Sequence, residues 1–297
     1  MITRRSLLKQ IGLFSAGTVL LQDANAFSFA GNKKVGVQLY TVRNEIAKDA
    51  KGTLRKIAEL GFKEVENFGY NGKFFGMEPA EYKALLSELK MKATSGHYMY
   101  GNFGNKKVPG TILHGWDQAV TDAAAIGQKY MVVAYLLPEE RTSINDYKKI
   151  AAELNIAGKK CKDAGIQLCY HNHDFEFQEI DGQIPFDILT KETDPSLVQI
   201  ELDLYWVMKA DKDPIALFNQ HKGRIALWHV KDMDKTANKN FTEVGNGVID
   251  FATIFKNAEL SGMKHFFVEQ DVCPGSPFDS IKQSIGYIKS NLIKYLS

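Results

Sequence analysis

The run Gly165-Ile166-Gln167-Leu168-Cys169-Tyr170-His171-Asn172-His173-Asp174-Phe175-Glu176-Phe177 passes from an apolar, strand-like stretch straight into two histidines and two carboxylates. Neutral imidazole nitrogens and carboxylate oxygens are borderline-to-hard donors that suit Zn, Mn or Co. Alone, His171 and His173 read equally well as surface histidines of a polar loop. Three later segments repeat the pattern of an apolar run ending in a ligand type: Val198-Gln199-Ile200-Glu201-Leu202-Asp203, Arg224-Ile225-Ala226-Leu227-Trp228-His229 and His265-Phe266-Phe267-Val268-Glu269. Four such strand ends in succession favour one shared site.

Outward from these segments the chain alternates strands and helices. The hydrophobic pattern predicts strands at 35–40, 62–68, 91–97, 129–136, 166–171, 197–203, 224–230 and 265–270. Helices are predicted at 53–60, 79–90, 114–127, 144–164, 185–192, 213–221, 250–261 and 277–294, with Gly61, Gly127, Gly165 and Gly262 as stop signals. Eight βα units imply parallel strands joined by right-handed crossovers, and their number favours closure into a single-domain (β/α)₈ TIM barrel, an α/β fold. Near-continuous apolar runs such as Tyr130-Met131-Val132-Val133-Ala134-Tyr135 fit strands buried on both faces. A doubly wound dinucleotide fold is disfavoured, because no GxGxxG follows the first strand. The loops 98–113 and 231–249, rich in Gly, Asn and Lys, are expected at the carboxyl-terminal face, where barrel sites are built.

Residues 1–26 are set apart from this pattern. Arg4-Arg5 precedes the apolar run Ile11 to Leu21, and Ala24-Asn25-Ala26 offers small residues to a signal peptidase, which reads as a twin-arginine export signal cleaved before Phe27. The apolar run is shorter than the ~20 residues a spanning helix needs. The expectation is a periplasmic barrel of residues 27–297 with no membrane association after cleavage. Loss of Arg4, Arg5, Lys9 and Asp23 leaves 34 basic and 34 acidic side chains. A neutral chain disfavours nucleic acid as a partner, since phosphate binding needs a surplus of Lys and Arg. Cys161, Cys169 and Cys273 form neither an even set nor a CxxC, so no disulfide framework is expected.

In a barrel, residues at the carboxyl ends of strands converge. Asp203, His229 and Glu269 are therefore expected to meet, joined by His171 or His173, and to hold one divalent ion (Mn, Zn, Co or Mg) acting as a Lewis acid on a small-molecule sugar. Each has an ordinary alternative: a helix cap or ion pair for Asp203, a satisfied core histidine for His229, an ion pair for Glu269. Secondary candidates for binding substrate are His97, Trp206, Lys231, Gln38, Tyr40 and Glu66. Trp206 could pack on a sugar face, and Lys231 reads as an oxyanion contact or a solvated lysine.

Gln38-Leu39-Tyr40-Thr41, Tyr170-His171-Asn172-His173, Leu202-Asp203, His229-Val230-Lys231-Asp232-Met233, Gly245-Asn246-Gly247-Val248-Ile249-Asp250-Phe251 and Val268-Glu269-Gln270-Asp271 together resemble the sugar phosphate isomerase/epimerase group of xylose-isomerase-like TIM barrels. The resemblance covers nearly all of 34–290. It implies a divalent metal held by Glu, Asp, His and Glu at the ends of strands five to eight, with the two glutamates moving protons. Asp203, His229 and Glu269 match the last three positions, while His171 stands where the family has its first glutamate. Read this way, His171, Asp203, His229 and Glu269 are the metal ligands, and Glu269 acts in catalysis with His171 and His173; Glu176 is a further acid or base. The implied activity is a metal-dependent isomerase or epimerase working through an enediolate. A keto-sugar lyase or hydratase and a non-catalytic sugar-binding barrel are the alternatives, and homo-oligomerisation is compatible with the sequence.

Overall fold

The computed structural model describes residues 34–102 and 106–296. The export signal and the boundary at residue 27 lie outside these residues. Eight parallel strands close a barrel: β1 (Gly36–Gln38), β2 (Glu64–Asn67), β3 (Lys92–Tyr98), β4 (Tyr130–Val133), β5 (Gln167–His171), β6 (Val198–Asp203), β7 (Ile225–Val230) and β8 (His265–Val268). Pairing of Gly36 with Phe267 and Val37 with Val268 joins first strand to last. Among the described residues no helix is long and apolar enough to cross a membrane.

Strand alternation then determines the site. Successive side chains point to opposite faces, so Cys169, Leu227 and Phe267 share the inward face with His171, His229 and Glu269. The first three belong to a fully buried apolar cluster with Val132 and Ala226, which floors the barrel one layer below the ligand candidates. β6 departs from this rule, because two residues before Asp203 it carries Glu201, also fully buried. Register shifts fall between Val65 and Glu66 and between Ile200 and Glu201. A bulge re-aims the side chain that follows it, and here each precedes an inward carboxylate.

The connecting helices begin on polar caps. Asp49, Ser143, Asp213 and Asp250 each accept a backbone N–H of the first turn, satisfying donors that a helix start leaves open. Three expectations need correction. The strand predicted at 35–40 stops at Gln38, because the Gln38 side chain accepts the Tyr40 N–H and turns the chain into a 3₁₀ segment over Leu39–Val42. The helix predicted at 250–261 is two, Phe251–Lys256 and Ala258–Ser261, separated at Asn257, whose N–H closes a tight turn on Ile254. The short helix Leu204–Lys209 was not expected; Asp203 initiates it by accepting the Trp206 N–H at 3.0 Å. In the long loop after β7 a small ribbon pairs Asp232–Met233 with Phe241–Thr242. Asp232 there accepts N–H bonds from Gly245, Gly247 and Ile249. A Cβ on Gly247 would lie 2.2 Å from the Met233 carbonyl oxygen, so this Gly-Asn-Gly turn shapes the loop around a carboxylate.

Barrel closure depends on Gly36 in the same way. A Cβ there would meet the Phe267 ring at 2.4 Å and the Phe266 carbonyl oxygen at 2.9 Å, and the backbone atom cannot rotate aside. Gly36→Ala is expected to cost about 1–3 kcal/mol, the usual range for overpacking a core. Urea unfolding of the two proteins measures it, and an unchanged midpoint contradicts this account of closure.

Candidate metal centre

His229 is fully buried on β7. Its Nδ1 lies 2.9 Å from Glu269 Oε2 and 3.7 Å from Asp203 Oδ2. Its Nε2 lies 2.6 Å from Glu66 Oε1. Glu66 is itself fixed by the Gln38 amide at 3.0 Å and the Ser95 hydroxyl at 2.6 Å. A metal-binding histidine typically donates its second ring N–H to a carboxylate, which sets its tautomer and aim. Gln38, Ser95 and Glu66 form such a support, leaving Nδ1 to face Asp203 and Glu269.

His171 completes the ring of donors. One donor atom each from His171, Asp203, His229 and Glu269 falls within 4.8 Å of the others. Asp203 spends Oδ1 on the Trp206 N–H, while its Oδ2 is buried and turned toward the donor ring, with the Lys231 ammonium 3.1 Å away. Both ring nitrogens of His171 are buried and unpartnered, with Nε2 3.4 Å from Asp203 Oδ2. Buried polar atoms are rarely left unpaired, and here the His171 nitrogens, without a hydrogen bond, converge on a carboxylate oxygen beside two further donors. Two imidazoles and two carboxylates can hold a divalent ion with positions left for substrate oxygens. Asn172 secures the edge by accepting the Asp203 N–H at 3.0 Å.

Lys231, one of the possible solvated residues of the sequence, is 1% exposed. Its ammonium contacts Glu269 Oε2 and Asp271 Oδ2 at 2.6 Å each and Asp203 Oδ2 at 3.1 Å. Burial opposes ionisation of Asp203 and Glu269, but Lys231 together with the neighbouring histidines, His171 and His229 for Asp203 and His229 and His97 for Glu269, outweighs it and holds both carboxyls well below the usual range. Burial lowers His171 to about 4, so its imidazole is neutral and free to ligate at neutral pH. Burial likewise drives His173 well below its ordinary value, helped by His171 and Lys231. His229 runs the other way: burial lowers it, yet Glu201, Glu269 and Glu66 raise it well above the ordinary value.

The sequence-predicted residues divide into three groups. His171, Asp203, His229, Glu269, Lys231 and His97 come together. His97 bonds Glu201 at 2.7 Å and stacks on His229 with ring centres 5.0 Å apart. His173 packs against Tyr135, Phe175 and Trp206 at 5.0–5.3 Å, and Tyr40 stands at the rim, 39% exposed. Gln38 and Glu66 do not line the pocket: both are fully buried and act from behind His229. Glu176 is neither open acid nor open base, for it is fully buried, accepting the Tyr170 hydroxyl and the His173 N–H at 2.7 Å each. Sequence reasoning passed over Glu201 and Asp271, although each stands two residues from a strand-end ligand candidate. The available signal was Glu201 standing two residues before Asp203, on the same strand face.

Above the donors opens a cavity of about 660 Å³ whose lining includes His97, His171, His173, Lys231, Glu269 and Asp271 together with Tyr40, Phe68, Tyr70, Tyr98 and Tyr135 and the polar Asn71 and Thr111.

Two outcomes follow from this geometry. Glu66→Gln weakens the hydrogen bond that aims His229, so affinity for zinc, read by competition with a chromophoric chelator, should fall about 10–100-fold; unchanged affinity contradicts the supporting role. Burial raises Glu176 from 4.5 to about 7. An acid raised on folding leaves the native state holding more protons than the unfolded chain across that window. Stability therefore falls as pH rises from 4.5 to 7, and above 7 the full penalty, on the order of 3 kcal/mol, is in place. Glu176→Gln should unfold with a smaller loss between pH 5 and 8 than the parent; parallel stability curves contradict it.

A family model described as xylose isomerase-like TIM barrel matches residues 54–291. Inosose dehydratases are similar over part of the chain: that of Lacticaseibacillus casei is 25% identical over 167 residues, 50% of this chain and 55% of that protein, and that of Geobacillus thermodenitrificans is 30% identical over 155 residues, 46% and 51%. The chain thus spans about half the length of the curated relatives it matches. Among solved structures, a sugar phosphate isomerase/epimerase from Parabacteroides distasonis superposes with a TM-score of 0.76 at 26% identity, covering 90% of this chain and 97% of that one. The IOLI protein with a bound zinc superposes with a TM-score of 0.69 at 15% identity, covering 88% and 99%, a likeness of fold. With a closed eight-stranded barrel and a family match over most of its length, the chain belongs to the xylose isomerase-like TIM-barrel family.

Proposed function

We propose that the protein is a metal-dependent enzyme that enolises a keto-sugar or keto-polyol and eliminates a group β to the ketone, a lyase or dehydratase of the periplasm reached through the Arg4-Arg5 signal. The observation that carries this reading is the imidazole at the end of β5. His171 is neutral and buried where the resemblance places a glutamate, so Glu269 is the one carboxylate of the ligand set that lines the cavity. Epimerisation by two opposed carboxylates lacks its second member, whereas elimination needs one base and one acid. The dehydratase names of the curated relatives support the same direction, and the zinc bound by the IOLI protein supports the metal alone.

His171, Asp203, His229 and Glu269 would hold the ion, which supplies Lewis-acid polarisation of the ketone when bound. Lys231 keeps Glu269 ionised and in place for the proton next to the carbonyl. Lining the same cavity, His97 is the group placed to return a proton to the departing oxygen: burial lowers its imidazole, but Glu66 and Glu201 raise it above the ordinary value, whereas His173 is held neutral. A second reading, isomerase or epimerase, is favoured by the Parabacteroides distasonis structure, whose similarity extends over nearly the whole chain.

The test compares a keto-polyol and a 3-keto-glucose with a simple ketose on zinc- or manganese-loaded mature protein. Enone formation followed by its ultraviolet absorbance should dominate, and Glu269→Gln should lower it about 10²–10⁴-fold, the range for loss of a general base. Faster epimerisation of the simple ketose, with solvent deuterium entering the epimerised carbon, would establish the second reading instead.

A further inference from the structure

The cavity is larger and less polar than a lone sugar requires. An apolar cavity of about 150 Å³ holds benzene, or about 25 Å³ per non-hydrogen atom, so a keto-hexose of about twelve such atoms fills about 300 Å³. Roughly half of the 660 Å³ is left over. That remainder lies along the ends of β1 to β4, where Tyr40, Phe68, Tyr70, Tyr98 and Tyr135 form the wall.

The wall is mainly aromatic carbon, with Asn71, Thr111 and the hydroxyls of Tyr40 and Tyr135 as its polar groups. The Tyr70 hydroxyl is spent on Asp122 at 2.5 Å, and the Tyr98 hydroxyl faces Gln128 at 3.4 Å. Phe68 stands edge-on to Tyr40 with centroids 5.4 Å apart and is backed by Phe75 at the same separation. Phe75 takes a left-handed backbone, φ 52°, which costs a residue with a side chain about 1–2 kcal/mol and here brings its ring behind Phe68. A second sugar would set several hydroxyls against the faces of Phe68, Tyr70 and Tyr98, where few polar groups answer them, which disfavours it relative to a ring. A flat aromatic group would bury its face or edge against the cavity side of these packed rings.

We infer that the substrate is a keto-glycoside whose departing group carries an aromatic ring, the keto-sugar lying over His171, Glu269 and Lys231 and the ring lying against Phe68 and Tyr135. This rests on the elimination reading above and names its leaving group. In the step, Glu269 takes the proton from the carbon beside the ketone, the C–H pair forms the new C=C bond, and the C–O bond to the aglycone breaks with its electrons on oxygen. The His97 imidazole, which lines the same cavity, protonates that oxygen. One enone and one alcohol result, and no oxidant or reductant is consumed.

The experiment uses phenethyl and methyl 3-keto-β-glucosides, two alkoxide leaving groups of similar basicity, so that a difference reports the ring and not leaving-group acidity. Metal-loaded protein should prefer the phenethyl compound in kcat/KM by about tenfold or more, as expected for burying a phenyl group, with Phe68→Ala and Tyr135→Ala narrowing the ratio. Calorimetry with the two unoxidised glucosides, which cannot react, reads the wall separately and should show the same preference in affinity. Equal affinities and equal kcat/KM values overturn the aromatic leaving group while leaving elimination intact. Tighter phenethyl binding with no enone from either compound overturns the elimination reading and the lyase substrate with it, and shows the wall to bind aromatic rings for another purpose.

Discussion

A fully buried imidazole held between two carboxylates is the constraint on which the rest of the site depends. His229 meets Glu66 through one ring nitrogen and Glu269 through the other, so its ring plane is set by residues from β2 and from the end of β8. Charges can be kept inside a protein only when paired and hydrogen-bonded, and each carboxylate has its own support. Gln38 and Ser95 hold Glu66; Lys231 holds Glu269. Lys231 in turn is fixed by Asp271, whose carbonyl receives the Arg43 guanidinium at 2.9 Å. The chain of contacts runs around the barrel and returns to the loop after β1. Closure of the sheet therefore does more than bury apolar surface: it brings together residues 163 positions apart, as with Glu66 and His229.

The same contacts explain how the site can take a cation. Two carboxylates and Glu201 keep His229 protonated, its Nδ1 proton shared toward Glu269 and Asp203. A ligating histidine must be neutral, so binding of a divalent ion at these oxygens would release that proton. The Nε2 proton on the Glu66 side stays, and it directs Nδ1 at the ion. His171 needs no such exchange, since burial already keeps it neutral. The two histidines thus differ in protonation because one has three carboxylates around it and the other chiefly one, Asp203.

How much of this was legible in the sequence follows from which periodicity carried it. Strand ends are marked by apolar runs breaking into polar residues, so His171, Asp203, His229 and Glu269 could be placed together before any coordinates. The predicted 185–192 helix matches Pro185–Glu192, because Pro185 fixes its start and it contains no internal break. Inward residues below the ends are harder to read: Glu66 and Glu201 lie inside strands, and in a parallel barrel both strand faces are buried, so alternation does not announce which carboxylate is inside. The two register shifts that aim them leave no mark in the residue pattern. Gln38 looked like a pocket residue because it ends a strand, but its amide turns back to its own chain and to Glu66. Helix Leu204–Lys209 was hidden for another reason: six mostly apolar residues after a strand carry no helical period, and its start depends on Asp203, which serves as cap and site residue at once.

The barrel mouth is divided by the order of the strands. β5 to β8 contribute imidazole, carboxylate and ammonium groups, while β1 to β4 end in Tyr40, Phe68, Tyr98 and Tyr135. His97 is the exception, reaching from β3 to Glu201 across the interior. Because neighbouring strands in a closed parallel barrel are also sequence neighbours, a chain whose polar strand ends are consecutive must form a polar half and an apolar half. A ligand bound across such a mouth is oriented by the division before any specific contact forms. Under the elimination proposed above, its oxygens would lie over the donor set and its carbon-rich end over the rings, leaving Glu269 and His97 to act on the two ends of the breaking bond system.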